Sequence, residues 1–262
     1  MLLGQITPLI LTYNEAPNIV RTLEKLGWAN RVVVIDSGST DGTLDLLRAD
    51  ARVDLVDRAF TDFAEQWNFG LSRIDTPWVL SLDADYELSS EFVDEMKSLR
   101  CDSDEAGFEV RFIYRINGKA LRGSLYPMRT VLFRRGVAEY WLDGHTQRVR
   151  VRGPIGRLTS VIYHDDRKPL SRWLASQQRY AREEAEYLLA RRGEPLSRAD
   201  RLRLMAWPAP LAALIYVLVV KRCLFDGWPG WYYALQRCLA EALLALEIID
   251  RRLRQQPTGP SA

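Results

Sequence analysis

Two apolar runs that break into acid constrain the fold of this 262-residue chain more than any other feature. The first, Val32 to Ile35, is followed by Asp36-Ser37-Gly38-Ser39-Thr40-Asp41-Gly42-Thr43. The second, Trp78 to Leu82, is followed by Asp83-Ala84-Asp85-Tyr86-Glu87. Both are too short for a helix, and both turn acidic where a buried strand would emerge. In open α/β sheets ligands bind outside that carboxyl end of the strands. Two carboxylates one residue apart at such an edge suit a divalent cation that also holds a diphosphate.

The surrounding pattern extends this into a sheet. An apolar run from Ile6 ends in Thr12-Tyr13-Asn14-Glu15, and Ile19, Val20, Leu23 and Leu26 then recur at helical spacing within 17–26. A helix over 43–48 with an Asp41-Gly42 entry turn, a strand over 53–56 and a helix over 63–73 follow. Strand–helix alternation of this kind predicts a parallel sheet with right-handed crossovers. Between 107 and 163 short, partly alternating runs (107–117, 130–134, 147–151, 158–163) predict antiparallel or mixed strands added at the sheet edge.

From Pro169 the period becomes helical. Leu170, Leu174, Gln177, Ala181, Ala185 and Leu188 form one stripe on a helix ending near Gly193. Leu204 to Val220 carries no charge, is interrupted by Pro208 and Pro210, and is closed by Lys221-Arg222. A spanning helix needs about 20 apolar residues, so the run is marginal for crossing a bilayer. An aromatic turn (226–233) and a last apolar helix (239–249) follow, then Arg251-Arg252-Leu253-Arg254. These helices are expected to lie on or dip into a membrane. The alternative is a hydrophobic hairpin packed on the catalytic domain or pairing two copies as a homodimer.

Charge supports an anionic partner for the second half. Residues 1–100 hold 9 Lys/Arg against 17 Asp/Glu, whereas residues 101–262 hold 27 against 17. Phosphates or an anionic membrane surface would complement the basic half, unless it is simply a solvated Arg-rich helix surface. No nucleic acid is implied. Cys101, Cys223 and Cys238 show no CxxC spacing, which argues against a disulfide framework or a zinc site and fits a reducing compartment. The N-terminus lacks a basic leader region and reads as a first strand.

With these motifs in hand, the chain resembles the family 2 glycosyltransferases of GT-A fold. It carries Leu11-Thr12-Tyr13-Asn14-Glu15, Asp36-Ser37-Gly38-Ser39-Thr40-Asp41-Gly42-Thr43 and Leu82-Asp83-Ala84-Asp85 in the family's order. It is most similar to the bacterial branch that builds lipopolysaccharide core and other cell-envelope glycans. The resemblance implies a GT-A domain over 1–168, with a nucleotide-binding half (1–100) and an acceptor half (101–168), and inverting transfer from a nucleotide-sugar, a UDP-sugar, to a glycan or glycolipid acceptor. The helical region over 169–262, read from its own residues as membrane-associated, places the protein as peripheral or monotopic at the cytoplasmic face of the inner membrane as an expectation.

Position by position, the resemblance makes Thr12, Tyr13, Glu15 and Asp36 hold the nucleoside, with Ser39 and Ala84 in the same set and Asn68 near the base or sugar. Asp83 would face the ribose or the metal, and Asp85 would ligate Mg²⁺ or Mn²⁺ on the diphosphate. His164 is a third ligand candidate. Arg167 and Lys168 could bind the diphosphate, a task suited to their donors. Otherwise 164–168 is a helix-entry turn with Asp165 or Asp166 near the start of the next helix. Two departures stand out. Members usually place a basic residue before the Asn, where this chain has Trp67. The acceptor stretch Trp141 to Gln147 has no acid after His145, which leaves Asp143 as the first candidate base and His145 as the second. Two other readings are a catalytically weak GT-A-like scaffold acting through its C-terminal helices, and a sugar nucleotidyltransferase. The latter class usually opens with a Gly-rich basic loop after the first strand, and 12–18 has none.

Overall fold

The computed structural model describes residues 3–100, 103–143, 146–191 and 195–255. By contacts the chain divides into two units, one of Met1–Ala120 with Tyr126–Lys168, the other of Leu121–Leu125 with Pro169–Ala262.

In the first unit β1 (Ile6–Thr12), β2 (Val32–Asp36), β3 (Val53–Asp57) and β4 (Trp78–Asp83) run parallel, joined by α1 (Ile19–Glu24), α2 (Thr43–Arg48) and α3 (Phe63–Ser72). Next come β5 (Tyr86–Leu88), α4 (Ser90–Ser98), β6 (Gly107–Ile116), β7 (Lys119–Ala120), β8 (Arg129–Arg134), β9 (Ala138–Asp143), β10 (Thr146–Val151) and β11 (Ile155–His164). The main sheet has the order β3-β2-β1-β4-β8-β6-β11-β5, with β7 paired to β6. β8 is antiparallel to β4 and β6, β11 is parallel to β6, and β5 is antiparallel to β11. The sheet is therefore mixed. One expectation needs correction: 147–151 does not join the sheet edge but pairs with β9 in a separate hairpin.

Strand order reverses beside β1. The chain steps from β1 outward to β2 and β3, then returns so that β4 pairs on the other side of β1. That is a switch point, and the crevice outside its carboxyl end is the place for a ligand. Thr12 lies opposite Asp36 in the β1–β2 register, and Leu11 opposite Asp83 in the β1–β4 register.

The apolar runs are continuous because both sheet faces are covered. Ile10, Val34 and Leu80 pack on one face with α1 and α4, through residues such as Leu23 and Phe92. Leu9, Val33, Ile35 and Val79 pack on the other with Ala64 and Trp67 of α3. α3 lies close over β1 at Gly70, where an added Cβ would stand 2.6 Å from Leu9 Cδ1.

The second unit contains α5 (Leu170–Ala190), α6 (Arg198–Leu204), α7 (Pro208–Ile215) continuing as a π turn over Tyr216–Val220, a 3-10 turn over Cys223–Asp226, and α8 (Trp228–Gln255). Ala181, Ala185 and Leu188 of α5 pack with Leu244 and Ile248 of α8. Arg203 donates to Glu241 (Nη2 to Oε1, 2.8 Å) and lies 3.5 Å from Glu184, tying three helices together. Two expectations change here. Pro208 starts α7 rather than breaking it, since the missing N–H of a first-turn proline has no intrahelical partner to lose. The break falls at Ala206, whose φ is 65°. The aromatic stretch 228–233 is not a turn but the opening of α8. No described helix is long and apolar enough to cross a membrane.

Gly70→Ala is expected to lower the urea midpoint by the equivalent of about 1–3 kcal/mol, because fully buried Leu9 has nowhere to move. An exposed helical Gly→Ala change would instead raise it, so the sign of the shift in an unfolding curve decides.

Candidate active site

Asp36 ends β2 and is fully buried. An ionised carboxylate in that position must be satisfied by protein donors. Its Oδ1 accepts from the backbone N–H of Gly38 (2.9 Å) and Ser39 (2.7 Å), and its Oδ2 from the hydroxyls of Thr12 (2.7 Å) and Ser39 (2.6 Å). A carboxylate offers about four acceptor positions, so this set is full. Asp36, which the resemblance sets on the nucleoside, thus has its acceptor positions filled by the protein; the carboxylate organises the turn that follows it. Gly38 makes that turn possible with φ of 84°.

The same turn is stitched to the β1–α1 loop. Asn14 N–H donates to Ser39 Oγ (2.7 Å), Thr40 N–H to Asn14 Oδ1 (2.6 Å), and Glu15 N–H to Thr43 Oγ1 (2.7 Å). Thr12 and Ser39 are therefore spent inside the fold, whereas Tyr13 projects with 55% of its surface exposed. Gln66 of α3, which sequence reasoning passed over, is buried and donates to Ser37 Oγ (2.9 Å) and the Arg58 carbonyl (3.0 Å). Arg58 stands just past β3, donating its N–H to the Asp36 carbonyl (2.9 Å). It places a cation at the edge where the resemblance expects the nucleoside, one that Trp67 does not supply. Its signal in the sequence was only its position immediately after a strand.

Asn68 does not face this edge. Its amide donates to the Tyr140 carbonyl (2.8 Å) and accepts from the Tyr140 N–H (2.9 Å), clamping β9 to α3. Trp67 stacks on the Tyr140 ring with centroids 5.0 Å apart. Trp67 belongs to the core, and Asn68 ties β9 to α3 instead of lying near a base or sugar. Ala84 likewise corrects its assignment: its side chain is in the core, and its carbonyl accepts from Thr22 Oγ1 (2.7 Å).

Strand alternation does not carry through the Asp83-Ala84-Asp85 triplet, because β4 stops at Asp83 and a turn intervenes before β5. Asp83 is partly exposed, with Arg129 Nη1 at 4.0 Å. Asp85 is buried, with His164 Nε2 3.2 Å from its Oδ2. The two carboxylates look unneutralised along the chain, yet β8 brings the Arg129 cation to Asp83 and β11 brings the His164 imidazole to Asp85 across the sheet. Burial alone would raise the Asp85 carboxyl, but the charge and hydrogen bond of His164, with Lys168 behind, hold it well below the usual range. Burial disfavours the imidazolium, but Asp85 and, more weakly, Asp83 raise the His164 pKa. Rings of Tyr86, Tyr114 and Tyr126 surround His164 at centroid distances of 5.4, 4.6 and 4.6 Å.

Arg167 and Lys168, expected on a diphosphate, are each in an ion pair. Arg167 Nη2 lies 2.9 Å from buried Asp165, and Lys168 Nζ lies 2.6 Å from Glu15. Asp165 also accepts from Gly118 N–H (2.9 Å), and Asn18 donates to Glu15 (3.0 Å) and Asp166 (2.9 Å). Arg21 reaches Glu87 and Asp165 beneath. Asp165 and Asp166 therefore bind cations and amides; α5 has no side-chain cap. Burial pushes the Glu15 carboxyl up to about 7, opposed by Lys168 and aided by Asp85.

Asp85 Oδ1 and His164 Nδ1 are buried with no hydrogen-bond partner among the described residues. An orphaned carboxylate oxygen beside partly exposed Asp83 fits a divalent cation whose remaining ligands are phosphate oxygens and water. It does not fit a complete protein cage. Among the described residues no group of three or more His, Cys, Asp and Glu is arranged to hold a metal, so His164 does not complete a preformed set. Asp143 closes β9, with its side chain outside the described residues, as is His145 altogether. A cavity of about 290 Å³ between Ile74, Arg135 and Gly136 lies at the opposite end of β4.

Residues 9–150, more than half of the chain, match the model of Glycosyl transferase family 2. The chain belongs to that family. It is a glycosyltransferase, and its relatives are named accordingly. An uncharacterized glycosyltransferase of Rickettsia prowazekii (strain Madrid E) is 22% identical over 267 residues, covering 96% of this chain and 89% of that protein. The lipopolysaccharide core biosynthesis glycosyltransferase LpsC of Rhizobium meliloti (strain 1021) is 31% identical over 100 residues, 37% of either chain. Among solved structures, the mannosyltransferase PcManGT from Pyrobaculum calidifontis, in complex with GDP-Man and Mn²⁺, superposes with a TM-score of 0.53 at 16% identity, covering 94% of this chain and 87% of that one. The likeness establishes a GT-A-like α/β fold with a mixed sheet and C-terminal helices.

Thr12→Val keeps the shape and deletes one donor to a buried charge. The expected loss is about 1.5–3 kcal/mol in urea unfolding. Unchanged stability with abolished nucleotide binding in calorimetry would show instead that the hydroxyl serves the ligand.

Proposed function

We propose that this glycosyltransferase moves a sugar, with inversion, from a nucleoside-diphosphate donor (UDP-linked) to a cell-envelope saccharide such as lipopolysaccharide core, using Mg²⁺ or Mn²⁺. The observation that carries the reading is the orphaned Oδ1 of Asp85 at the carboxyl end of the switch point. The likeness to LpsC supports the acceptor class, and the GDP-Man and Mn²⁺ of PcManGT support a metal-held nucleotide-sugar.

On this reading the nucleoside lies along the turn that Asp36 organises, against Tyr13 and the backbone of Ser37 and Gly38, with Arg58 at its edge. Asp85 and Asp83 would hold the cation on the diphosphate. When bound, it neutralises charge developing on the departing nucleoside diphosphate. His164 and Lys168 keep Asp85 ionised, and Arg129 steadies Asp83. Asp143, with His145 second, takes the proton of the acceptor hydroxyl, whose oxygen attacks the anomeric carbon opposite the leaving group. One displacement inverts that carbon.

Incubating purified protein with UDP-sugars, GDP-mannose and Mn²⁺, and measuring nucleoside diphosphate release, tests the reading. Asp85→Asn is expected to slow release about a hundredfold or more, since several kcal/mol of charge stabilisation would go with the ion. Chelation should do the same to the wild type. Wild-type turnover by Asp85→Asn, or pyrophosphate as the product, would refute it.

A further inference from the structure

The second unit leaves an unusual amount of apolar surface uncovered. Trp207, Leu211, Ile215 and Val219 are spaced by four and so share one helical face; each is 57% exposed or more. Next along the chain Phe225 and Trp228 are exposed as well. Monomeric soluble proteins rarely leave contiguous apolar patches of this kind without a partner.

The chemistry around the stripe says what the partner is. Residues 201–225 include Arg201, Arg203, Lys221 and Arg222 and no acidic residue. Arg203 is consumed by Glu241 and Glu184, whereas Lys221 and Arg222 form no ion pair among the described residues. Lys221 lies 5.7 Å from the Tyr216 ring and Arg222 6.0 Å from the Phe225 ring, whereas Arg122, 5.8 Å from the same ring, is paired with Asp226 (3.1 Å). Aliphatic side chains, then tryptophan and tyrosine, then cations are the order met on moving out of a bilayer from acyl chains to headgroups. A second copy laid parallel on the stripe would set Lys221 and Arg222 near their own equivalents, and one laid antiparallel would set them at the uncharged 204–208 end; neither offers an acidic partner from 204–225. Anionic headgroups complement them. The helix is too short and too interrupted to span.

We propose that the α7 stripe and its π turn form a monotopic docking surface for an anionic lipid bilayer, Trp207, Ile215 and Val219 entering the acyl boundary and Lys221 and Arg222 contacting headgroups. This surface lies wholly within the helical unit and does not depend on the donor chemistry of the other.

The experiment is co-sedimentation of the full chain with vesicles of phosphatidylcholine alone or mixed with phosphatidylglycerol. Wild type is expected to bind the mixed vesicles, more weakly in high salt. Ile215→Ser with Val219→Ser should lower partitioning about tenfold or more, with an unchanged unfolding midpoint. Lys221→Glu with Arg222→Glu should remove the preference for phosphatidylglycerol. Failure of the folded wild type to bind mixed vesicles would overturn the proposal. So would Ile215→Ser/Val219→Ser binding that equals wild type, or a dimer in sedimentation velocity that these substitutions dissolve while vesicle binding persists. Neither readout requires turnover, so a failure here is distinct from a failure of the catalytic reading.

Discussion

Asp36 sits at the end of a central strand with no contact to water, and its charge is tolerable only because four donors converge on it. Those donors come from two loops. Thr12 belongs to the end of β1, while Gly38 and Ser39 belong to the turn after β2. Satisfying one buried carboxylate therefore sets the relative position of two segments that meet at the ligand edge. Ser39 then receives Asn14 and Gln66 braces Ser37, so the face proposed for the nucleoside is held by hydrogen bonds within the fold. Pre-organisation of this kind lowers the ordering cost of binding.

The sheet edge around Asp85 is arranged by charge. Glu15, Asp83, Asp85 and Asp166 crowd like charges into a small region, where they repel one another. His164, Lys168 and Arg129 oppose them, and Asn18 and Arg21 spread the remainder over hydrogen bonds from α1 to the β11 end. The pairs Arg167–Asp165 and Lys168–Glu15 show why basic residues beside an active site need not touch its ligand. A cation at hydrogen-bond distance from a largely buried carboxylate is already committed, and removing it leaves that charge uncompensated.

Local pattern carried the fold far. The β-branched run 32–35, the helix over 43–48 and the strand over 78–83 depend on period and neighbours, and they fold as their residues indicate. Position-specific roles were less legible. Asn68 has the right type at the right spacing, but an amide can pair with any backbone it reaches, and it reaches Tyr140. Ala84 sits between two aspartates, yet the turn sends its methyl into the core. The helical period of 204–220 was visible, while its start depended on the backbone at Ala206, which no propensity encodes.

Composition and spacing determined that strands would end in carboxylates, that these would share one edge with a glycine-bearing turn, and that the last third would be helical and apolar. These follow from interactions within a few residues of each other. Which cation faces Asp83, which ring nitrogen meets Asp85 and which atoms are left without partners were decided only by the tertiary structure. Arg129 lies 46 positions from Asp83, and His164 lies 79 from Asp85. Sheet pairing alone brings such distant side chains within 4.0 Å, because strand order, not chain distance, sets who is adjacent.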